Sequence, residues 1–358
     1  MNAPFKPAAM VLREANLSDA NEFARLERFV AEHPEGTPFH RPTWLRAVAQ
    51  GTGNAAIALV AERGGELTGF LPLSEVHSPL FGRMLASSGF GVAGGVLALD
   101  ERSGKALLGG LEELALRRSC PSAELRGGML PKERTGWKIR FDSHCGFAAP
   151  LAEDDEAQLS WIPRKQRAEV RKGLAGELDV SVGTSADDRA AHYAVYAESV
   201  HNLGTPVFPF SLFEAVLDGF AADADILTIR HHGKPIASVL SLYHQGAVMP
   251  YWGGGTWDAR RLRANDRMYF ELMLHARRRG CSTFDFGRSK TGSGPADFKK
   301  NWGFQAEPLG YASWTALGAP ARDADPTSGK HAARIALWKR LPLPLANRIG
   351  PHISRGLG

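Results

Sequence analysis

Cysteine is scarce in this chain: Cys120, Cys145 and Cys281 stand far apart, with no CxxC and no even-numbered set. That excludes a disulfide framework and a cysteine-rich zinc site, and it fits a reduced, cytoplasmic setting. Long apolar runs are missing too, with none near the roughly 18 residues that a membrane-spanning helix needs. The opening MNAPFKPAAMVLREANLSD has no continuous apolar core of the signal-peptide kind. Charge of one sign does not dominate either. Lys and Arg number 43 against 38 Asp and Glu, a net +5 that suits anionic ligands but is too weak for a dedicated DNA binder. There is no GxSxG, so the nucleophile of any transfer reaction is expected on the substrate. His231 and His232 fall in an expected hairpin turn, while His201 and His275 fall on expected helices, so no metal site is predicted. What remains is an ordinary globular composition, 44% hydrophobic and 23% charged, over 358 residues, enough for two domains.

Read in order, the chain predicts a strand at 11–15, a helix from the Asn16–Asp19 caps to Glu32, and a second helix over 42–50. Strands at 55–62 and 67–76 flank Gly64–Gly65 as a hairpin. A glycine-rich passage, a strand at 96–99, a helix over 105–118 and a strand at 122–126 follow. The second half repeats this order. Helices are expected at 187–202 and, with a Ser211 cap, at 211–222. A hairpin is expected over 226–243, a strand at 247–252 broken by Gly253–Gly255, a helix over 266–279, and a closing strand at 283–286. The recurrence, offset by about 160–170 residues, outweighs any single motif. It predicts an α/β fold with mixed sheets covered by helices. The expected domains are 1–150 and 151–318, with a basic amphipathic tail over 319–358.

Three stretches carry candidate chemistry. The first is CSTFDFGRSKTGSGPADFKKNWGFQAEPL, Cys281 to Leu309: a short apolar strand, a Gly/Ser loop with Arg288 and Lys290, then Lys299 and Lys300 between aromatics. A strand that runs into such a loop is a common anion cradle, although a solvated basic loop reads equally well. The second is WIPRKQRAEVRKG, Trp161 to Gly173. Its Arg164, Arg167 and Arg171 share a face if Pro163 opens a helix, a solvated face by default or a phosphate-binding face. The third is His331–Gly358, in which Arg334, Lys339, Arg340, Arg348 and Arg355 interleave with Trp338 and aliphatics and no acid occurs. Peripheral contact of 331–358 with an anionic membrane and simple packing against the body are both open.

On TPFHRPTWL (37–45), IPRKQRAEVRKG (162–173), YWGGG (251–255), HARRRG (275–280) and FDFGRSKTGSGPADFKKNWGF (284–304), the chain resembles the FemAB-like group of tandem GNAT-fold acyltransferases. Within that group it is most similar to FemAB-related proteins of PEP-CTERM/exosortase exopolysaccharide systems. The resemblance implies two GNAT-like domains in tandem with a substrate channel between them, and aminoacyl-tRNA-dependent transfer to a cell-envelope precursor. It implies that Lys299, in the FK motif, lies near the reacting acyl group. It further implies that Arg167 and Arg171 meet precursor phosphate and that Tyr251 lines the site. One departure stands out. Where a standard acyl-CoA site has a glycine loop, this chain reads Arg260–Asp266 without glycine, which hinders backbone approach to a pyrophosphate.

Acyl transfer to an amine needs a placed donor, an unprotonated amine and a stabilised oxyanion. Lys299 suits the last role, and Arg288 and Lys300 are candidate substrate cations; Asp285 is the candidate base, although its alternation with Phe284 and Phe286 equally fits an exposed strand position. The expected function is therefore N-acyl or aminoacyl transfer to an amine on a nucleotide- or lipid-linked glycan or peptide precursor, in the cytoplasm or peripherally at the inner membrane. No tightly bound cofactor is expected, and the donor is aminoacyl-tRNA or acyl-CoA. The alternatives are a conventional acyl-CoA-dependent N-acetyltransferase and a catalytically silent precursor-binding protein.

Overall fold

Strand β1 (Met10–Glu14) pairs antiparallel with β2 (Ala55–Arg63), and the chain returns as β3 (Glu66–Ser78) through Gly64 and Gly65, at φ 61° and 88°. Both glycines are in the left-handed region that a tight hairpin requires. These strands belong to a computed structural model of the protein, which describes residues 9–79, 81–320 and 332–358. The chain divides into two units, one holding the described residues of 1–140, 310–323 and 356–358, the other those of 141–309 and 324–355.

In the first unit β2 is apolar on both faces because helices cover both. Ile57, Leu59 and Ala61 pack with Leu107, Leu108, Leu111 and Leu114 of α3 (Glu101–Arg117). Ala58 and Val60 pack with Leu26 and Val30 of α1 (Ala20–Glu32) and Leu45 of α2 (Pro42–Thr52). Odd and even positions thus serve opposite layers, as strand alternation dictates. The fourth antiparallel strand is β4 (Gly82–Ser87), where the sequence predicts none and places a strand at 96–99 instead. Only β5 (Leu97–Ala98) forms there, as a short pairing with β3. After α3, β6 (Ser122–Arg126) runs parallel to β4 through the pairs Leu85↔Ala123 and Ala86↔Glu124. β7 (Trp137–Arg140) follows near the end of this segment.

The second unit begins with β8 (His144–Gly146) and β9 (Ala148–Pro150), then α4 (Asp155–Trp161) and α5 (Arg164–Ala175). Strand β10 (Asp179–Gly183) leads to α6 (Ala186–Leu203) and α7 (Phe210–Phe220). Helix α7 is capped by Pro209 without a side-chain bond, not by Ser211 as expected. β11 (Ala224–His231), β12 (Lys234–His244) and β13 (Ala247–Gly255) continue the sheet antiparallel. The expected break at Gly253–Gly255 does not occur. All three glycines pair with Ala237, Ser238 and Val239, and they are needed for closeness rather than for a turn. A Cβ on Gly253 would meet Val239 Cγ2 at 2.8 Å, and one on Gly254 would meet Ser199 Oγ of α6 at 2.2 Å.

Helices α8 (Trp257–Arg261) and α9 (Ala264–Arg278) lead to β14 (Thr283–Asp285), which runs parallel to β13 for two pairs, Ala247↔Thr283 and Val248↔Phe284. The same two-pair parallel contact joins β4 and β6, so the doubled order read from sequence is a doubled topology. β15 (Ser289–Lys290), α10 (Gly294–Asn301) and β16 (Glu307–Pro308) close this unit's small sheet with β8. The chain then rejoins the first unit. β17 (Tyr311–Thr315) inserts between β6 and β7, so 310–318, expected in the second domain, belongs with the first sheet. The second unit likewise starts at 141, ahead of the expected boundary, because β8 and β9 pair with β14, β15 and β16. Two helices end the chain, α11 (Ala332–Trp338) and α12 (Leu343–Ser354). Of the expected polar linker, 321–330 lies outside the described residues, as does His331. No helix among the described residues is long and apolar enough to cross a membrane.

Candidate acyl-transfer site

The strand–loop–helix from Thr283 to Asn301 is anchored by rings. Phe286 lies with Tyr269 at 4.7 Å, Phe304 at 5.1 Å and Phe284 at 5.2 Å between centroids, and Trp302 is fully buried beneath. The aromatics around Lys299 and Lys300 are thus the anchor of α10, which is capped by Ser293, whose Oγ donates to Lys290 O at 2.7 Å.

This anchor fixes Lys299. Its Nζ donates to Gly287 O at 3.1 Å and Arg288 O at 3.0 Å, the carbonyls just beyond the end of β14. The ammonium also lies 5.4 Å from the ring centroids of Phe147 and Phe286. Burial lowers its pKa from 10.5 to about 8, partly opposed by the negative charge of Asp285. An ammonium has three N–H donors, so two carbonyls leave a third for a ligand. Asp285 is half-buried between the buried Phe284 and Phe286, and its Oδ1 accepts the Gly287 N–H at 2.8 Å. Burial raises the pKa of this carboxyl, while the Gly287 N–H and the Lys299 charge oppose the rise. Gly287, at φ 70°, makes the turn that brings its own N–H to Asp285 and its carbonyl to Lys299. Asp285, Lys299 and the Arg288 backbone therefore share one place, with pKa values displaced in the directions that proton transfer near neutral pH calls for.

Tyr251 stands on β13. The register jumps from Leu240↔Trp252 to Ser241↔Pro250, so Tyr251 is the extra residue of a β-bulge. Its ring is 5.0 Å from Trp252, which leads into a ring cluster with Phe213 at 4.6 Å and Phe208 at 6.0 Å. The β13–β14 pairing ends at Val248↔Phe284, which leaves the sheet unpaired between the bulge and the Asp285 turn.

The cations of α5 separate. Arg167 is half-buried and its Nε donates to Ile162 O at 3.1 Å, while Arg164 and Arg171 are exposed. Lys300 is also exposed, one residue beyond Lys299. Helix α5 crosses α9 closely at Gly173, where a Cβ would meet Arg263 O at 2.8 Å. The entry to α9 is held by its own side chains. Arg263 is at φ 55°, a backbone conformation usual for glycine, and its Nε pairs with Glu169 at 2.7 Å. Gln166 Nε2 donates to Asp266 Oδ1 at 2.6 Å, placing a carboxyl in the first turn of α9, its pKa raised by burial. A helix N-terminus already faced by a carboxyl is a poorer seat for a pyrophosphate.

Two features leave no mark in the sequence, one at the site and one in the core. Phe147, the wall beside Lys299, arrives from the β8–β9 segment far away in the chain, and nothing local to it marks that role. His192 of α6 is fully buried, with Nδ1 at 3.0 Å from Ser238 Oγ and burial lowering its pKa to about 3. Among the described residues no group of three or more His, Cys, Asp and Glu side chains is placed to hold a metal.

Residues 163–300 match the acetyltransferase (GNAT) domain family. The fold is similar to the crystal structure of FemX, with a TM-score of 0.65 at 15% identity over 85% of this chain and 97% of that one. It is similar to the C-terminal domain of a putative lysylphosphatidylglycerol synthetase from Agrobacterium fabrum, with a TM-score of 0.56 at 17% identity over 82% and 92%. A tandem GNAT protein from the clavulanic acid biosynthesis pathway matches with a TM-score of 0.56 at 12% identity over 87% and 100%. No curated protein matches the chain by sequence. The domain match and the doubled sheet define the class: an acyltransferase with tandem GNAT folds.

Proposed function

We propose that the chain transfers an activated acyl or aminoacyl group to an amine on a cell-envelope or exopolysaccharide precursor, as a FemAB-like enzyme of a PEP-CTERM/exosortase setting in the cytoplasm. The observation that carries this reading is the Lys299 ammonium, held by two carbonyls beside Asp285 with a pKa near 8. The acceptor nitrogen attacks the acyl carbonyl carbon, and the N–C bond forms as negative charge grows on the carbonyl oxygen. The third N–H of Lys299 stabilises that charge. Asp285 takes the amine proton, and the proton passes to the leaving oxygen of a tRNA ribose, or the leaving sulfur of CoA, as the acyl bond breaks. Arg167, Arg171, Arg288 and Lys300 supply positive charge for a nucleotide- or lipid-linked precursor, and Tyr251 lines the acceptor side.

Aminoacyl-tRNA is the favoured donor because Asp266, Glu169 and Arg263 fill the entry to α9 that a CoA pyrophosphate would use. Exposed Arg260 and Arg261 on α8 support acyl-CoA as the alternative donor. Thermal unfolding with acetyl-CoA separates the two. A bound ligand at about 100 times its dissociation constant stabilises by about 2.7 kcal/mol. A rise in Tm that Arg260→Ala/Arg261→Ala abolishes assigns the donor to CoA. No rise at millimolar ligand, with transfer from charged tRNA, assigns it to aminoacyl-tRNA.

A further inference from the structure

The last helix, α12, is seated on one side only. On α12, Ala346, Gly350 and Ser354 are buried at successive i, i+4 positions. A Cβ on Gly350 would lie 3.0 Å from Val207 N, and Ser354 Oγ donates to Val207 O at 2.9 Å. At the end of α11, the Trp338 carbonyl lies 3.2 Å from His201 Nε2. The opposite side of α12 carries Arg348 and His352, both exposed, with Leu345 43% and Ile349 37% exposed. Leu337 is 65% exposed, and Lys339, Arg340 and Arg355 are exposed as well. From 332 to 358 the sequence has five Lys and Arg and no Asp or Glu.

We propose that this outer face docks on the surface of an anionic lipid bilayer. Aliphatic side chains set among cations, on a helix whose other face is already buried, are what an interfacial helix presents to headgroups and the upper acyl region. Charge selects the occupant. Anionic lipid complements a stretch without a single Asp or Glu, whereas a second copy would set like charge against like. The position also serves the site. Val207, gripped by α12, precedes Phe208, whose ring lies 6.0 Å from Trp252, the neighbour of the bulged Tyr251. Docking there brings the bilayer to the α6–α7 connection, and an acceptor attached to a lipid then reaches the unpaired stretch of the sheet along the membrane. This last step rests on the transfer reading above; the docking itself does not.

The test is co-sedimentation of the full chain with vesicles of phosphatidylcholine alone and of equal parts phosphatidylglycerol and phosphatidylcholine. Binding only to the phosphatidylglycerol vesicles, weakening with salt, is expected. Arg340→Glu/Arg348→Glu/Arg355→Glu is expected to cut partitioning by at least about tenfold. Leu345→Gln/Ile349→Gln is expected to remove the part that survives high salt. Retained Tm shows that each variant folds. Equal binding to both vesicles, none to either, or unchanged binding by the charge variant overturns the proposal. So does a vesicle-free dimer that Leu345→Gln/Ile349→Gln dissolves. Turnover of a water-soluble acceptor, measured on the same samples, keeps the two readings apart: vesicle binding without turnover defeats the transfer reading alone, and turnover without vesicle binding defeats the docking alone.

Discussion

Replacing Lys299 by Met separates a group kept for chemistry from one kept for stability. Burial lowers the folded pKa from 10.5 to about 8, and that difference corresponds to about 3 kcal/mol held against the charged form in the fold. Below pH 8 both states are protonated and the whole penalty is present. As pH rises from 8 to 10.5 the unfolded chain holds the extra proton, so wild-type stability climbs by about 1.4 kcal/mol per unit. Met removes the penalty but also the two N–H···O bonds to Gly287 and Arg288, together worth about 2 kcal/mol. At pH 7 the variant is therefore expected within about 1 kcal/mol of wild type, and slightly the more stable. By pH 9.5 the order reverses, the wild type having gained about 2 kcal/mol, so the curves cross. Urea unfolding from pH 6.5 to 9.5 measures this directly. A variant less stable at every pH by more than about 2 kcal/mol would make Lys299 a structural strut and not a group kept for chemistry.

Asp285→Asn keeps the acceptor for the Gly287 N–H and loses the base, so kcat is expected to fall by about a hundredfold or more with little change in Tm; unchanged kcat removes Asp285 from the chemistry. The pH–rate profile should show an alkaline limb near pH 8, where Lys299 loses its charge; a rate still rising through pH 9 denies the charged lysine its oxyanion role. His192 titrates in the opposite range. With a folded pKa of about 3 against 6.5, its stability contribution is full above pH 6.5 and is lost at about 1.4 kcal/mol per unit on acidification. His192→Phe should therefore blunt acid unfolding between pH 6.5 and 4.5, and parallel curves would show that another group drives it. Gly173→Val forces α5 off the Arg263 carbonyl and should lower stability by about 1–3 kcal/mol, read as a lower urea midpoint.

Much of the fold was legible because β2, β3, β11 and β12 are apolar strands flanked by unmistakable turns, and because the order recurs. β4 was not legible: its six residues, GRMLAS, carry glycine, arginine and serine, and pairing with β3 makes it a strand. The pairing of β17 with β6 was not legible either, because strand partners at such sequence separation leave no local trace. Gly253–Gly255 misled for a related reason, since glycine demanded by close packing looks in sequence like glycine demanded by a turn. At the site, the loop and its cations were legible as a motif. The motif did not show that Phe298, Trp302 and Phe304 anchor α10 while Lys299 turns to the carbonyls beyond β14. Nor did it show that Asp285 is half-buried, because a strand of three residues has too little alternation to say which way it faces.

The most direct test of the central claim is transfer kinetics with charged tRNA or acetyl-CoA as donor and a nucleotide-linked amino-sugar or peptide precursor as acceptor, comparing wild type with Lys299→Met. Transfer by the wild type is expected, with a fall in kcat of at least about a hundredfold in the variant and KM for the acceptor nearly unchanged. Transfer by the variant at the wild-type rate would contradict that claim.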